Sequence, residues 1–214
     1  MEKICSMNRI KESITMIFGI LCMSIAITIC SQVSLGTAPC TTLNLGLSHK
    51  LSISFGIIQL CVNLIFMIFV ILFERKLIGL GTIVNMIGIG FLVDFFTPIY
   101  KIIIPHTQRL DIRLILLVIA IFIQTLGTSL YLTADSGVAP YDALTLILSK
   151  KTKISFSYCR IITDVTCVAI GFSLGSVIGI GTVILAFFTG PLVSMWNVKV
   201  SKPLIDRLII GSHM

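Results

Sequence analysis

The chain has 214 residues, of which 56% are hydrophobic and only 12% are charged, and its formal net charge is +7. A soluble domain carries about 25% charged residues, so this composition excludes an ordinary soluble protein. Together with repeated apolar runs of about 20 residues, it predicts a multi-span helical membrane protein. The positive charge does not indicate nucleic-acid binding, because Lys and Arg lie in short clusters between apolar runs, as the positive-inside rule describes.

Taken in order, the chain predicts an all-α membrane protein with six transmembrane helices and two short helices in a single membrane domain, residues 1–210. The first repeat, about 13–99, holds spans at 13–33, 53–73 and 77–99 and a short helix at 39–50. The second repeat, about 112–197, holds spans at 112–132, 154–174 and 177–196 and a short helix at 140–151. Residues 211–214 resemble a vector-derived tail and are set aside.

The repeat is visible as sequence identity. Aligned without a gap, residues 34–55 and 135–156 are identical at eleven of 22 positions, and each contains a G-x-A-P element at the start of its short helix. A second motif, I-G-x-G-T, occurs at 78–82 and again at 178–182. A repeat of this length predicts a duplicated half of a bundle. The closely spaced small residues of I-G-x-G-T favour tight helix packing.

The short helices determine the predicted topology. Each covers about 12 residues, or about 18 Å, which does not cross a hydrocarbon core of about 30 Å. We therefore predict two re-entrant half-helices, three true spans in each half, and halves inverted relative to each other. The alternative is that the short helices cross, which gives eight crossings and parallel halves, and the distribution of Lys and Arg mildly favours it. The length argument outweighs that count, because backbone ends left in lipid cost several kcal/mol each.

The two G-x-A-P elements are the first candidate site. Proline fits the first turn of a helix, and the free N–H groups of a helix start carry partial positive charge. A pair of such interrupted segments is a pointer to a transport site, whereas the alternative is a packing kink. The predicted binding residues here are Gly36, Thr37, Pro39 and Thr41 in the first copy and Gly137, Pro140, Tyr141 and Asp142 in the second. Asp142 either handles a cation or proton, or only caps its helix.

Polar residues inside two spans complete the candidate site. Asn63 and Arg160 lie in spans 2 and 5, and Asp164 follows Arg160 at i+4, on the same helix face. Gln59 stands in the same relation to Asn63. A charge near the middle of a bilayer costs about 2.5–3.5 kcal/mol and commonly marks function. The alternative is that Arg160 and Asp164 form a neutralised pair that only holds helices together.

Other chemistries find little support in the sequence. The seven Cys residues form no C-x-x-C or regular framework, and they are interpreted as small apolar residues. No HExxH, GxSxG or P-loop pattern occurs. We therefore expect no catalytic residues, no metal site, no cofactor and no enzymatic activity.

The repeated G-x-A-P helix followed by I-S-F, together with I-G-x-G-T, resembles the YczE/YitT-type bacterial integral membrane proteins over about 13–197. The motif of that family is often G-x-x-P-x-D, which the second copy keeps as Gly137, Pro140 and Asp142, whereas the first copy has Thr41 in place of the aspartate. The resemblance implies a multi-pass protein of the bacterial cytoplasmic membrane and adds no substrate or residue role.

The leading hypothesis is a small transporter or facilitator for a small polar or charged solute, with proton or cation coupling. Its expected partners are the lipid bilayer, the solute and, given the small bundle, a second copy in a homodimer, with both termini cytoplasmic. The alternative is a membrane partner that does not transport, such as an immunity, sensor or assembly protein.

Overall fold

The computed structural model describes residues 2–104 and 109–205, without the side chains of residues 2–9 and 157. Every regular element in these ranges is helical. The helices are α1 (Glu2–Val33), α2 (Pro39–Leu51), α3 (Phe55–Phe73), α4 (Leu80–Ile103), α5 (Leu110–Thr133), α6 (Pro140–Thr152), α7 (Phe156–Ser173) and α8 (Ile180–Trp196). A 3-10 turn at Arg75–Leu77 precedes α4, and a π-helical turn at Asn197–Ser201 follows α8.

Helices cover all the predicted spans and short helices, with corrections at their ends. The first span was predicted from residue 13, but α1 begins at Glu2. The third and sixth spans were predicted from residues 77 and 177, but α4 and α8 begin at Leu80 and Ile180, because the chain is extended at Gly79 and Gly179. The chain after Trp196 remains helical to residue 205. It stays attached because the Ser201 hydroxyl is fully buried, 2.7 Å from that of Ser129 on α5. The predicted vector-derived tail lies outside the described residues.

Helices α1 and α5, which occupy equivalent places in the two halves, pack tightly and run antiparallel. Near one end, the Arg113 guanidinium donates to the Val33 carbonyl at 2.8 Å. Further along, Gly19 lies against Gly127, and a Cβ on either glycine would sit 2.7 Å from the carbonyl oxygen of the other. From residue 19 to residue 33 of α1, the contacting residue on α5 changes from 127 to 113, so the two helices run antiparallel. Glycine permits this close approach of two backbones.

Each half also places its G-x-A-P loop on the other half, and we call these two contacts clasps. In the first clasp, residues 35–36 lie against residues 179–182, and the Gly181 N–H donates to the Leu35 carbonyl at 2.9 Å. In the second clasp, residues 136–138 lie against residues 77–82, and the Gly81 N–H donates to the Ser136 carbonyl at 2.7 Å. The I-G-x-G-T motifs do serve close packing, as predicted, but the surface they pack on belongs to the opposite half.

The short helices repeat this exchange. Helix α2 packs on α7, where Gly46 and Gly171 bring the two backbones together, and α6 packs on α3, where Ala143 and Ile147 share a cluster with Val70. Each half thus completes its core with an element of the other half. The clasps and the short helices together place both short-helix N-termini beside α3 and α7.

Five helical stretches of the described residues are long and apolar enough to cross a membrane. They are Ile10–Val33, Phe55–Phe73, Leu80–Ile103, Leu110–Thr133 and Ile180–Ile205. Six spans were predicted, and the one at 154–174, which corresponds to α7, is not among these five. Large apolar side chains such as Leu72, Phe187 and Ile102 are exposed on the outside of the bundle. A soluble monomer rarely exposes so much apolar surface, whereas lipid covers it without cost. The chain is therefore a multi-pass membrane protein.

Candidate functional site

The G-x-A-P loops shape the start of both short helices in the same way. Gly36 and Gly137 have φ values of +102° and +117°, which L-residues rarely adopt. Pro39 and Pro140 then take the first helical position, where the missing N–H costs nothing. Both prolines are buried. These four residues set the direction of the short helices, as the sequence predicts.

At the second copy, the structure brings four predicted site residues into one network. The Tyr141 hydroxyl donates to an Asp164 oxygen at 2.5 Å. Arg160 forms a hydrogen-bonded ion pair with Asp142, and its Nε lies 3.4 Å from the other oxygen of Asp164. The guanidinium also lies over the Tyr141 ring, 4.7 Å from its centroid, which is a favourable cation–π distance.

Local geometry explains why these residues meet. Helices α6 and α7 form an antiparallel hairpin that turns at Lys153, whose φ of +59° is left-handed. Tyr141 and Asp142 occupy the first turn of α6, and the hairpin sets them opposite Arg160 and Asp164 on α7. The Asp142 carboxylate lies in the first turn of α6 and accepts a hydrogen bond from the Arg160 guanidinium. The two roles predicted for Asp142, cation or proton handling and helix capping, both stay predictions.

The network is partly buried. Asp164 is 4% exposed, and the side chains of Arg160 and Asp142 are 30% and 28% exposed before any lipid is considered. Two carboxylates and one guanidinium give a formal charge of −1. Removing Arg160 would leave two carboxylates without a cation, which costs about 3–5 kcal/mol.

The first copy is neutral and bonded within itself. The hydroxyls of Thr37 and Thr42 lie 3.0 Å apart, and Thr42 also donates to the Ala38 carbonyl at 3.1 Å. Thr41 is buried beside them, and Cys40 stands where the second copy has Tyr141. The two copies are therefore unequal, as their sequences predict.

Tyr141 connects the second copy to the first half. It shares a buried cluster with Leu43 of α2 and Val62 of α3, and its ring lies 5.8 Å from that of Phe66. Cys40 packs against the same cluster. The charged network consequently lies at a contact between the halves and is not enclosed within one of them.

Two buried amides on α3 complete the surroundings. Gln59 and Asn63 are 6% and 7% exposed, and within the described residues neither side chain has a hydrogen-bond partner. They occupy the positions in the first repeat that Arg160 and Asp164 occupy in the second. Asn63 was predicted as a site residue, while Gln59 was noted only for its spacing.

Sequence reasoning missed other contacts near the site. The Tyr131 hydroxyl donates to the Gly137 carbonyl at 3.0 Å and holds the loop before α6. Cys167 lies in the cluster around Tyr141. Asp94 accepts the Gly56 N–H at 2.9 Å and fixes the start of α3. No motif marks these residues: the partners of Cys167 and Asp94 are distant in sequence, and the Tyr131 contact depends on how the loop after α5 folds back.

Comparison with known proteins finds one matching family model and relatives in two bacteria, one of which is named as a membrane protein. A family model described as "Family of unknown function (DUF6198)" matches residues 10–198. An uncharacterised protein of Haemophilus influenzae is 30% identical over 162 residues, covering 76% of this chain and 72% of that protein. The uncharacterised protein YyaS of Bacillus subtilis is 30% identical over 197 residues, covering 91% and 94%. The uncharacterised membrane protein YczE of the same species is 25% identical over 171 residues, covering 80% and 77%. No solved structure matches the chain.

Proposed function

The chain belongs to the DUF6198 family, and from that premise we propose that it is a small transporter or facilitator for a small polar or charged solute. The resemblance to YczE-type proteins is confirmed by the match to YczE itself. In this proposal the site lies where two inverted repeats meet, in the bacterial cytoplasmic membrane, with both termini on the cytoplasmic side. The predicted homodimer stays a prediction.

The antiparallel packing of α1 and α5 supports the inverted arrangement. These helices are equivalent in the repeat, so two halves of parallel orientation would make them run the same way. The contacts of Val33 with Arg113 and of Gly19 with Gly127 have the opposite sense. Counting crossings gives the same answer: if α3 and α4 both cross, an antiparallel α5 requires that α2 does not.

The length of the short helices supports re-entry. Helices α2 and α6 have 13 residues each, or about 20 Å, which is less than a hydrocarbon core of about 30 Å. Both begin at a clasp made with the opposite half. Non-helical backbone at membrane depth is tolerated where protein or a watery cavity surrounds it, and the clasps provide such protein surroundings.

The observation that carries the transport proposal is the charged network at the start of α6. Asp142, Arg160 and Asp164 lie together at a contact between the halves. A charge in a membrane interior costs about 2.5–3.5 kcal/mol, and such residues usually face a substrate or ion pathway. A protein that needed only rigidity would save this cost with apolar residues of the same volume. The site also lies where rocking of one half against the other would change its access.

Uptake into proteoliposomes tests the proposal. Protein-containing vesicles and protein-free vesicles are offered radiolabelled solutes of three charge classes: primary amines, carboxylates and neutral polyols. We expect saturable uptake of one class, reduced at least tenfold by Asp142→Asn and by Asp164→Asn. The matched control is Asp111→Asn, which removes a carboxylate from the exposed ion pair with Arg109 and leaves uptake intact.

Two results would count against transport. Uptake equal to that of protein-free vesicles for every class favours the membrane partner that does not transport. Uptake that both aspartate variants retain in full removes the charged network from the pathway.

A further inference from the structure

The charge balance of the network at the start of α6 indicates which ligand it takes. We infer that this site binds one small monovalent cation, either an alkali ion or a primary ammonium ion, in exchange for one proton. The inference rests on the proposed function, since it names the ligand class of the same site.

The first step is the formal charge. Asp142 and Asp164 contribute two negative charges, and Arg160 contacts both and contributes one positive charge. The other titratable side chains that surround the network are the thiols of Cys40 and Cys167 and the phenols of Tyr131 and Tyr141. All four are neutral in their ordinary protonated forms. With both carboxylates ionised, the site therefore has one uncompensated negative charge.

The second step is independent of the carboxylates. Gln59 and Asn63 are more than nine-tenths buried, and within the described residues their amides have no partner. Their amide atoms are not among the fully buried atoms without a partner, which belong to other residues, so they keep some accessible surface and are free to bind a ligand. On α3 they share one helix face with Val62 and Phe66, because positions 59, 62, 63 and 66 follow the i, i+3, i+4, i+7 pattern. Val62 and Phe66 contact Tyr141, so this face is directed at the network.

The third step decides between a cation and an anion. Arg160 already serves two carboxylates, so an anion would have to displace one of them, which leaves a buried carboxylate unpaired at about 3–5 kcal/mol. The partial positive charge at the start of α6 is already compensated by the Asp142 carboxylate in its first turn, so it does not attract a further anion. A cation instead neutralises the excess charge, and the amide oxygens of Gln59 and Asn63 are suitable hard ligands or hydrogen-bond acceptors for it.

The fourth step limits the ligand to a single charge. A monovalent ion brings the network to neutrality, whereas a divalent ion would leave one buried positive charge. Within the described residues, no group of three or more His, Cys, Asp and Glu side chains is placed to hold a metal ion. A proton on Asp142 or Asp164 also neutralises the site. Cation and proton therefore compete: when the cation binds, the carboxyl O–H bond breaks and the proton leaves to water.

Proton release on cation binding tests this inference. The full-length protein in detergent, in weakly buffered solution with a pH indicator, receives sodium, potassium or methylammonium chloride at constant ionic strength. The bulky N-methylglucamine chloride serves as the control for chloride and ionic strength. We expect saturable release of up to about one proton per chain with at least one small cation. Release by sodium or potassium identifies an alkali-ion site, and release by methylammonium alone identifies an ammonium site.

Variants separate the site from other carboxyl groups. Asp142→Asn and Asp164→Asn should reduce the released protons at least fivefold, whereas Asp111→Asn, at an exposed ion pair, should leave them unchanged. Asn63→Leu should raise the half-saturating cation concentration about tenfold without changing the number of protons at saturation. Each variant is first checked for monodisperse elution and for helicity. If Asp164→Asn elutes poorly, Asp164→Glu replaces it in the test, and because it keeps the carboxyl group it should still release protons on cation binding.

The outcomes also separate this inference from the proposed transport. No release with any small cation, equal release with N-methylglucamine, or unchanged release in both Asn variants overturns the cation site. Uptake of a carboxylate or a polyol without proton release leaves transport standing and removes this ligand class. Proton release without flux in proteoliposomes leaves the cation site standing and removes transport.

Discussion

The second clasp predicts a graded stability series at three glycines. Gly137 has a φ of +117°, and a Cβ there would lie 2.6 Å from the Gly79 backbone nitrogen and 2.6 Å from the Thr82 hydroxyl oxygen. Gly137→Ala therefore combines backbone strain, about 1–3 kcal/mol, with overpacking, about 1–3 kcal/mol. We expect a loss of about 2–6 kcal/mol. Because the Gly79 backbone just before α4 forms part of the obstacle, a side-chain rotation does not relieve the overlap.

Two other glycines supply matched controls. Gly175 also has a positive φ, +88°, but a Cβ there would meet nothing within 4 Å, so Gly175→Ala should cost only the strain. Gly190 lies inside α8 with an open Cβ position, and Gly190→Ala should stabilise by up to about 1 kcal/mol through helix propensity. From the most stable to the least stable, the order should be Gly190→Ala, wild type, Gly175→Ala and Gly137→Ala.

Thermal unfolding in detergent, followed by size-exclusion chromatography of heated samples, measures this order. One kcal/mol corresponds to about 2–4 °C for a chain of this size, so Gly137→Ala should unfold at least about 4 °C below wild type. If Gly137→Ala and Gly175→Ala unfold at the same temperature, the clasp is not closed as described, and the reasoning about exchanged loops fails.

Two further predictions concern the charged network and the topology. Arg160→Gln leaves Asp142 and Asp164 without a cation and should lower the free energy of unfolding by about 3 kcal/mol or more. Adding Asp142→Asn and Asp164→Asn to this variant should recover most of that loss. Equal unfolding temperatures for the single and the triple variant would contradict this expectation. Lys50 and Lys151 occupy equivalent exposed positions, and in a cysteine-free background Lys50→Cys and Lys151→Cys should react with an impermeant maleimide from opposite sides of oriented vesicles. Labelling from the same side would indicate parallel halves.

Much of the fold could be predicted from the sequence because it depends on local physical rules. Apolar runs long enough to cross a bilayer predict α3, α4, α5 and α8 to within a few residues, whereas α1 begins eleven residues before the predicted span. Proline at the first helical position and glycine three residues earlier predict where α2 and α6 begin. The end of the last helix was predicted less well: the sixth span was predicted to end at residue 196, whereas the chain remains helical to residue 205 and buries Ser201.

The candidate site could be predicted in part. Arg160 and Asp164 were paired from their i, i+4 spacing, and Asp142 was singled out because the first copy of the motif lacks an acid. The pairing of Asp142 with Arg160 depends on how α6 folds back on α7, and spacing along the chain does not contain that information. The surroundings supplied by Asn63 and Gln59 depend on how the halves meet.

By itself, the sequence determined that the chain is a helical membrane protein with a repeated plan and two unequal G-x-A-P copies. Composition, apolar length and identity between segments carry these facts, because each is a property of neighbouring residues. Only the tertiary structure decided that each loop packs on the opposite half, that α1 and α5 run antiparallel, and that one guanidinium serves two aspartates. The physical reason is that the repeat makes both copies compatible with either half, so only the packing of glycine surfaces between the halves selects the partner.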